Sequence, residues 1–105
     1  MAVDDPDHWT SRPVADIVPA LARELLLEPA PPSRLPTVRE VAMRHRASLS
    51  SIHKAMGRLR EIGAIEVETR GPLGAFLTGR STQDSHLVGE LMVQVLEDGL
   101  KRYGW

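Results

Sequence analysis

The stretch TVREVAMRHRASLSSIHKAMGRLREIG, residues 37–63, decides the fold. Thr37 and Glu40 have the spacing of a capping box, which predicts that a short helix begins after Thr37. A turn then follows, and Ser48 is a favourable N-cap for a second helix, which Gly63 ends. Because the turn between these two amphipathic helices is short, the stretch predicts a helix-turn-helix.

Both predicted helices have an inner apolar face. The first extends to about Arg46, and the second covers residues 49–62. Apolar residues three or four positions apart form these faces: Val38, Val41 and Ala42 in the first helix, and Ile52, Ala55, Met56 and Leu59 in the second. The polar and basic residues of the second helix therefore lie off the apolar face, where solvent or a partner can contact them.

Helical spacing of apolar residues also predicts a first helix over 13–28. Pro19 lies inside that pattern, so the helix either kinks there or begins near Val18. After the central stretch, residues 64–69 alternate apolar and polar side chains, and a glycine-rich turn joins them to a second short strand over 75–78. These two runs predict a β-hairpin.

The predicted fold class is therefore mainly α with a small β-hairpin, in the order of a winged helix-turn-helix followed by a C-terminal helix. We expect a flexible acidic tail over 1–10, the winged helix-turn-helix over 11–79 and the C-terminal segment over 80–105. Within that last segment, a broad apolar pattern over 87–103 predicts the helix itself.

Composition narrows the function classes. The chain has 105 residues and no cysteine, and it contains neither an HExxH nor a GxSxG motif, so we expect no enzyme, no metal site and no cofactor. Its start does not resemble a signal peptide, and no apolar run is long enough to span a bilayer. These features predict a cytoplasmic protein with no membrane partner. The short length leaves no evident small-molecule effector site.

The charge is distributed very unevenly. The net charge of −1 argues weakly against nucleic acid when the chain is taken as a whole. Residues 1–28 have a net charge of −4, residues 34–60 of +6 and residues 61–105 of −3. A basic run alone is typical of a solvated helix face. Its coincidence with the helix-turn-helix instead favours a surface that binds DNA phosphates.

Three segments match a known sequence pattern: LPTVREVA over 35–42, ASLSSIHKAMGRLREIGAI over 47–65 and GPLGAFL over 71–77. Together they resemble the winged-helix domain of the GntR family of transcriptional regulators, over about residues 14–78. The resemblance implies a regulator, with repression as the expected effect, that binds a near-palindromic site in double-stranded DNA as a homodimer.

The resemblance also implies DNA contacts at matching positions, and the early part of the second helix of the pair adds further candidates. The full set of candidate DNA-binding residues is Arg34, Thr37, Arg39, Ser48, Ser50, Ser51, His53, Lys54, Arg58, Arg70, Gly71 and Gly74. Most have an alternative interpretation: a solvated arginine for Arg39, helix capping alone for Ser48, and a tight hairpin alone for the two glycines. For the candidates on the second helix of the pair, Ser50, Ser51, His53, Lys54 and Arg58, the alternative is simple solvation.

The chain departs from the family pattern at Leu49, where the family has an arginine that commonly contacts guanine. Leucine cannot donate a hydrogen bond, so the operator differs, the affinity is low, or DNA binding is lost. The wing is also less basic than is usual in the family, because Pro72 and Leu73 leave Arg70 as its one cation.

The last predicted helix has more apolar residues than it needs to pack against a small domain with one of its faces. We expect it to pack on the first helix and across a twofold axis, although a purely intramolecular role is the alternative. The candidate dimerisation residues are Leu87, Val88, Leu91, Met92, Val95, Leu96 and Leu100.

The function predicted from all of these sequence features is a DNA-binding regulator. The rival prediction is a winged-helix module that binds another protein.

Overall fold

Helices dominate the computed structural model, which describes residues 12–80 and 84–105. In this part of the chain there are four α-helices and one two-stranded antiparallel sheet. Their bounds are α1 Val14–Leu27, α2 Val38–Arg44, α3 Leu49–Ile62, β1 Ile65–Thr69, β2 Ala75–Gly79 and α4 Ser85–Arg102. The predicted coarse class, mainly helical with a small hairpin, is confirmed, whereas the acidic tail predicted over 1–10 lies outside the described residues.

Helix α1 runs through Pro19 without ending there. Of the two alternatives, a start near Val18 is therefore wrong, because the helix already begins at Val14 and the carbonyl of Pro13 accepts the first bonds. Its inner face is completely apolar, and Ile17 and Leu21 have no solvent exposure. Burial of this face offsets the hydrogen bond that Pro19 cannot donate.

Side-chain N-caps begin both α2 and α3, and a residue with positive φ follows the end of α2. Thr37 Oγ1 accepts a hydrogen bond from the backbone N of Glu40 at 3.1 Å, and Ser48 Oγ accepts one from Ser51 N at 3.1 Å, as the capping patterns predict. Helix α2 ends at Arg44 rather than near Arg46. Arg46 has a φ of 52°, so the chain leaves the helix through a left-handed residue.

The hairpin is joined to the start of α2 as well as to itself. Strands β1 and β2 pair from Ile65 with Gly79 to Thr69 with Ala75. In addition, the backbone N of Leu77 donates to the carbonyl of Pro36 at 2.9 Å, and Thr37 forms an isolated bridge with Phe76. This third backbone pairing places the hairpin turn beside the N-terminus of α2.

One apolar core unites all these elements. Helix α1 contacts α3, α4 and both strands, and α4 also contacts α3. The buried apolar residues form a single cluster that includes Leu21, Ile52, Leu77 and Val95. The C-terminal segment thus packs into the same core as the rest of the fold. No helix in the described ranges is long and apolar enough to cross a membrane.

Candidate nucleic-acid interface

A shallow groove lies where the N-termini of α2 and α3 meet the turn of the hairpin. The pairing of Thr37 with Phe76 brings these three elements together. The groove is lined by Thr37, Val38, Arg39, Leu49, His53, Gly74 and Ala75. We call this groove, together with the exposed Ser50 and Lys54 beside it on α3, the α2–α3 surface.

Several of the candidate DNA-binding residues lie on this surface. Arg39, Ser50, His53 and Lys54 are exposed. Among the described residues, none forms an ion pair with Arg39 or Lys54, so both cations are available to an external anion. The helical spacing of His53 and Lys54 after Ser50 places all three on the outer side of α3, opposite the buried Ile52.

Two of the predicted serine contacts are occupied by helix capping. Ser48 Oγ accepts from the backbone of Ser51 and donates to Ser51 Oγ at 3.0 Å. Both side chains are half-buried. Capping therefore explains the positions of Ser48 and Ser51, and it fixes the first turn of α3. Ser50 lies between them and is exposed to solvent.

Arg58 does not lie on the α2–α3 surface, although it was a candidate contact. Its guanidinium donates to both carboxylate oxygens of Asp98, at 2.6 and 3.3 Å, and it also pairs with Glu61. Only 17% of the side chain is exposed. The hydrogen bond to Asp98 raises the pKa of Arg58, against the opposing effect of burial. The pair joins α3 to α4, so we assign Arg58 to the fold.

Arg34 lies on a different side of the molecule. It lines a groove between α1 and α2 together with Glu24, Glu28 and Glu40. In the same groove, Glu24 Oε1 accepts a hydrogen bond from His45 Nε2 at 3.1 Å, and Glu24 Oε2 lies 3.7 Å from a guanidinium nitrogen of Arg44. Because Arg34 shares its groove with three glutamates, it is a weaker candidate for a phosphate contact than Arg39.

The hairpin adds little positive charge. Arg70 donates to Glu68 at 3.1 Å, and its guanidinium lies 4.7 Å from the centre of the Phe76 ring. Glu66 and Glu68 are exposed on β1. Gly71 and Gly74 have positive φ values of 55° and 94°, so the turn requires them whether or not DNA approaches.

The candidate dimerisation residues divide into two groups. Val88, Leu91 and Val95 are at most 9% exposed and belong to the core, while Leu87 and Met92 pack partly against it. Leu96 and Leu100 are 49% and 57% exposed. Val88, Leu91 and Val95 therefore pack within the chain, as the intramolecular alternative predicts. The side of α4 that carries Leu96 and Leu100 is exposed and can contact a partner.

Sequence reasoning missed two exposed residues of interest. Val93 is 51% exposed and lies three positions before Leu96 and seven before Leu100, so all three share one side of α4. Leu49, treated only as a departure from a family pattern, is 46% exposed and lines the α2–α3 surface. Helical spacing from Leu96 and Leu100 was the signal that would have found Val93.

Comparisons with known proteins returned no match to a family model, a curated protein or a solved structure. In the described ranges, no three histidine or acidic side chains converge in a group that could hold a metal ion. The exposed side chains of the α2–α3 surface are two cations, a histidine, a serine hydroxyl and the apolar side chain of Leu49.

Proposed function

We propose that the protein binds double-stranded DNA as a transcriptional regulator, with a winged helix-turn-helix in which α3 enters the major groove. The observation that supports this most strongly is that exposed Arg39 of α2 and exposed His53 of α3 line one groove, with exposed Lys54 next to His53 on α3. Base edges in the major groove are met by the N-terminal residues of such a helix.

The dimensions of α3 suit this role. A helix with its side chains is about 10–12 Å wide, and the major groove of B-form DNA is about 12 Å wide. Helix α3 has 14 residues. Its buried residues Ile52, Ala55 and Leu59 hold it on the core, which leaves the outer side free to enter the groove.

Charge supports the same orientation. Residues 34–60 include seven basic residues, of which Arg44 pairs with Glu24 and Arg58 with Asp98. The other five, which have no ion pair with a described residue, are Arg34, Arg39, Arg46, Lys54 and Arg60. Since the hairpin exposes two glutamates, the phosphate contacts in this proposal come chiefly from α2, α3 and the turn between them.

We further propose that two copies associate through the exposed side of α4, formed by Val93, Leu96 and Leu100. These three side chains are each about half exposed although they are large and apolar. A twofold dimer would present two α3 helices to half-sites about 34 Å apart on a near-palindromic duplex. Repression then follows if the bound site overlaps a promoter.

A salt series on duplex binding tests the proposed function. We expect the logarithm of the association constant to fall linearly with the logarithm of salt, with a slope of about −0.9 per phosphate contact. If each of the five unpaired cations of residues 34–60 contacted one phosphate, the slope would be about −4.5 per protomer. Fluorescence anisotropy with a random duplex library between low and physiological salt measures it. Absence of duplex binding at low salt would contradict the proposal and favour the rival, a protein-binding module.

Charge reversal on the exposed side of α4 tests the proposed dimer. In the double variant Leu96→Glu, Leu100→Glu, four carboxylates would face one another across the twofold axis, so we expect a monomer. Light scattering with analytical ultracentrifugation measures the mass. Leu27→Glu is the matched control, because Leu27 is 52% exposed on α1, outside the proposed contact. An unchanged oligomeric state in the α4 variant would exclude this side of the helix as the interface.

A further inference from the structure

Leu49 is an unusual residue for the position it occupies. It is the first residue of α3, directly after the N-cap Ser48, and 46% of it is exposed. It lines the same groove as Arg39 of α2 and Gly74 of the hairpin. A large apolar side chain is therefore exposed on a surface whose other exposed side chains are cationic or polar.

The fold itself does not require leucine here. Capping of α3 comes from Ser48 and Ser51, and the core contacts of its first turns come from Ile52, which is completely buried. The other apolar residues of the groove are the buried Val38 and the half-buried Ala75, whereas the exposed neighbours of Leu49 on α3 are Ser50 and His53. Half-exposed apolar surface beside unpaired cations fits a partner that offers both negative charge and a small apolar group.

The major groove of DNA offers that combination. Thymine is the one common base that presents a methyl group there, at C5, and apolar side chains contact it. Arg39 and Lys54 can contact the phosphates on either side, while the first turn of the helix faces the base edges. We propose that Leu49 contacts a thymine C5-methyl group, so that each half-site requires a T·A pair at this position. This inference rests on the proposed DNA-binding function.

Removal of single methyl groups from the DNA tests the inference. Duplexes are first selected from a random pool with the full chain, and each thymine of the selected site is then replaced by deoxyuridine. That replacement removes the methyl group and leaves the hydrogen-bonding pattern of the base unchanged. We expect one position per half-site where it weakens binding about fourfold, which corresponds to about 0.8 kcal/mol for one buried methyl group.

The protein side of the experiment uses two variants. Leu49→Ala should bind the thymine and deoxyuridine duplexes equally well, because the side chain that contacts the methyl group is gone. Alanine is favourable in a helix, and circular dichroism checks that the fold is retained. Leu27→Ala, which truncates a similarly exposed leucine on α1, should keep the fourfold difference.

The outcomes separate this inference from the function on which it rests. Selected duplexes that are insensitive to deoxyuridine at every position would overturn the role of Leu49 and leave DNA binding intact. A sensitivity that persists unchanged in Leu49→Ala would also overturn it, because another side chain would then contact the methyl group. If the full chain enriches no duplex, the proposed function fails, and this inference fails with it.

Discussion

Replacing Gly79 with alanine should destabilise the protein strongly. A Cβ atom at this position would lie 2.0 Å from the carbonyl oxygen of Leu25 and 2.5 Å from its carbonyl carbon. These are backbone atoms of α1, so no side-chain rotation can relieve the clash. Overpacking typically costs about 1–3 kcal/mol, and we expect at least the upper end, about 3 kcal/mol.

Thermal unfolding followed by circular dichroism measures this effect. In a domain of this size, 1 kcal/mol shifts Tm by about 4–8 °C, so Gly79→Ala should lower Tm by about 12 °C or more. Gly57→Ala is the matched control, since a Cβ at Gly57 would meet no atom within 4 Å and alanine is favoured in the interior of a helix. The control should raise Tm slightly. Equal stability of the Gly79 variant and the parent would contradict the close approach.

The close approach of Gly79 to Leu25 is a contact that the sequence could not predict. The sequence pattern predicts that the second strand ends at residue 78, whereas in the structure Gly79 is the last residue of β2 and pairs with Ile65. Its proximity to Leu25 depends on how β2 packs against α1, and those segments are far apart in the chain. Local spacing cannot predict such a contact.

Local signals were sufficient elsewhere. Helix α3 has the predicted bounds of 49–62, because its cap at Ser48, its apolar spacing and the glycine at its end all act within a few residues. The end of α2 was predicted two residues too late. A positive φ at Arg46 ends that helix, and arginine has no special preference for the left-handed conformation that would have predicted it.

Within the candidate site, the local arrangement along α3 was predictable from the sequence and the contacts between distant segments were not. The helical period of α3 separates its core side from an outer side with Ser50, His53 and Lys54, and the structure places these as the period predicts. The pairing of Arg58 could not be predicted, because its partner, Asp98, is 40 residues away in α4. Thr37 and Gly74 come together through the bridge between Thr37 and Phe76 and the hydrogen bond from Leu77 N to the carbonyl of Pro36, which no sequence pattern indicated.

Reversing the charge of Arg39 and Lys54 together should nearly abolish duplex binding. Each side chain loses a contact with a phosphate, and each new glutamate repels one. Hydrogen bonds to charged groups contribute about 1.5–3 kcal/mol each, so Arg39→Glu, Lys54→Glu should weaken binding by about a hundredfold or more. The salt dependence should become shallower by about 1.8 in slope, because two phosphate contacts are lost. Anisotropy titrations over the salt series measure both quantities.

A second pair of reversals separates the α2–α3 surface from net charge. Arg23→Glu, Lys101→Glu lowers the net charge by the same amount, and both residues are exposed, on α1 and α4, away from that surface. This control should weaken binding only slightly and keep the slope, since distant charges are largely screened at physiological salt. Equal losses in the two double variants would mean that DNA responds to the total charge of the protein. Selective loss in the first pair would instead assign the phosphate contacts to the residues that flank Leu49.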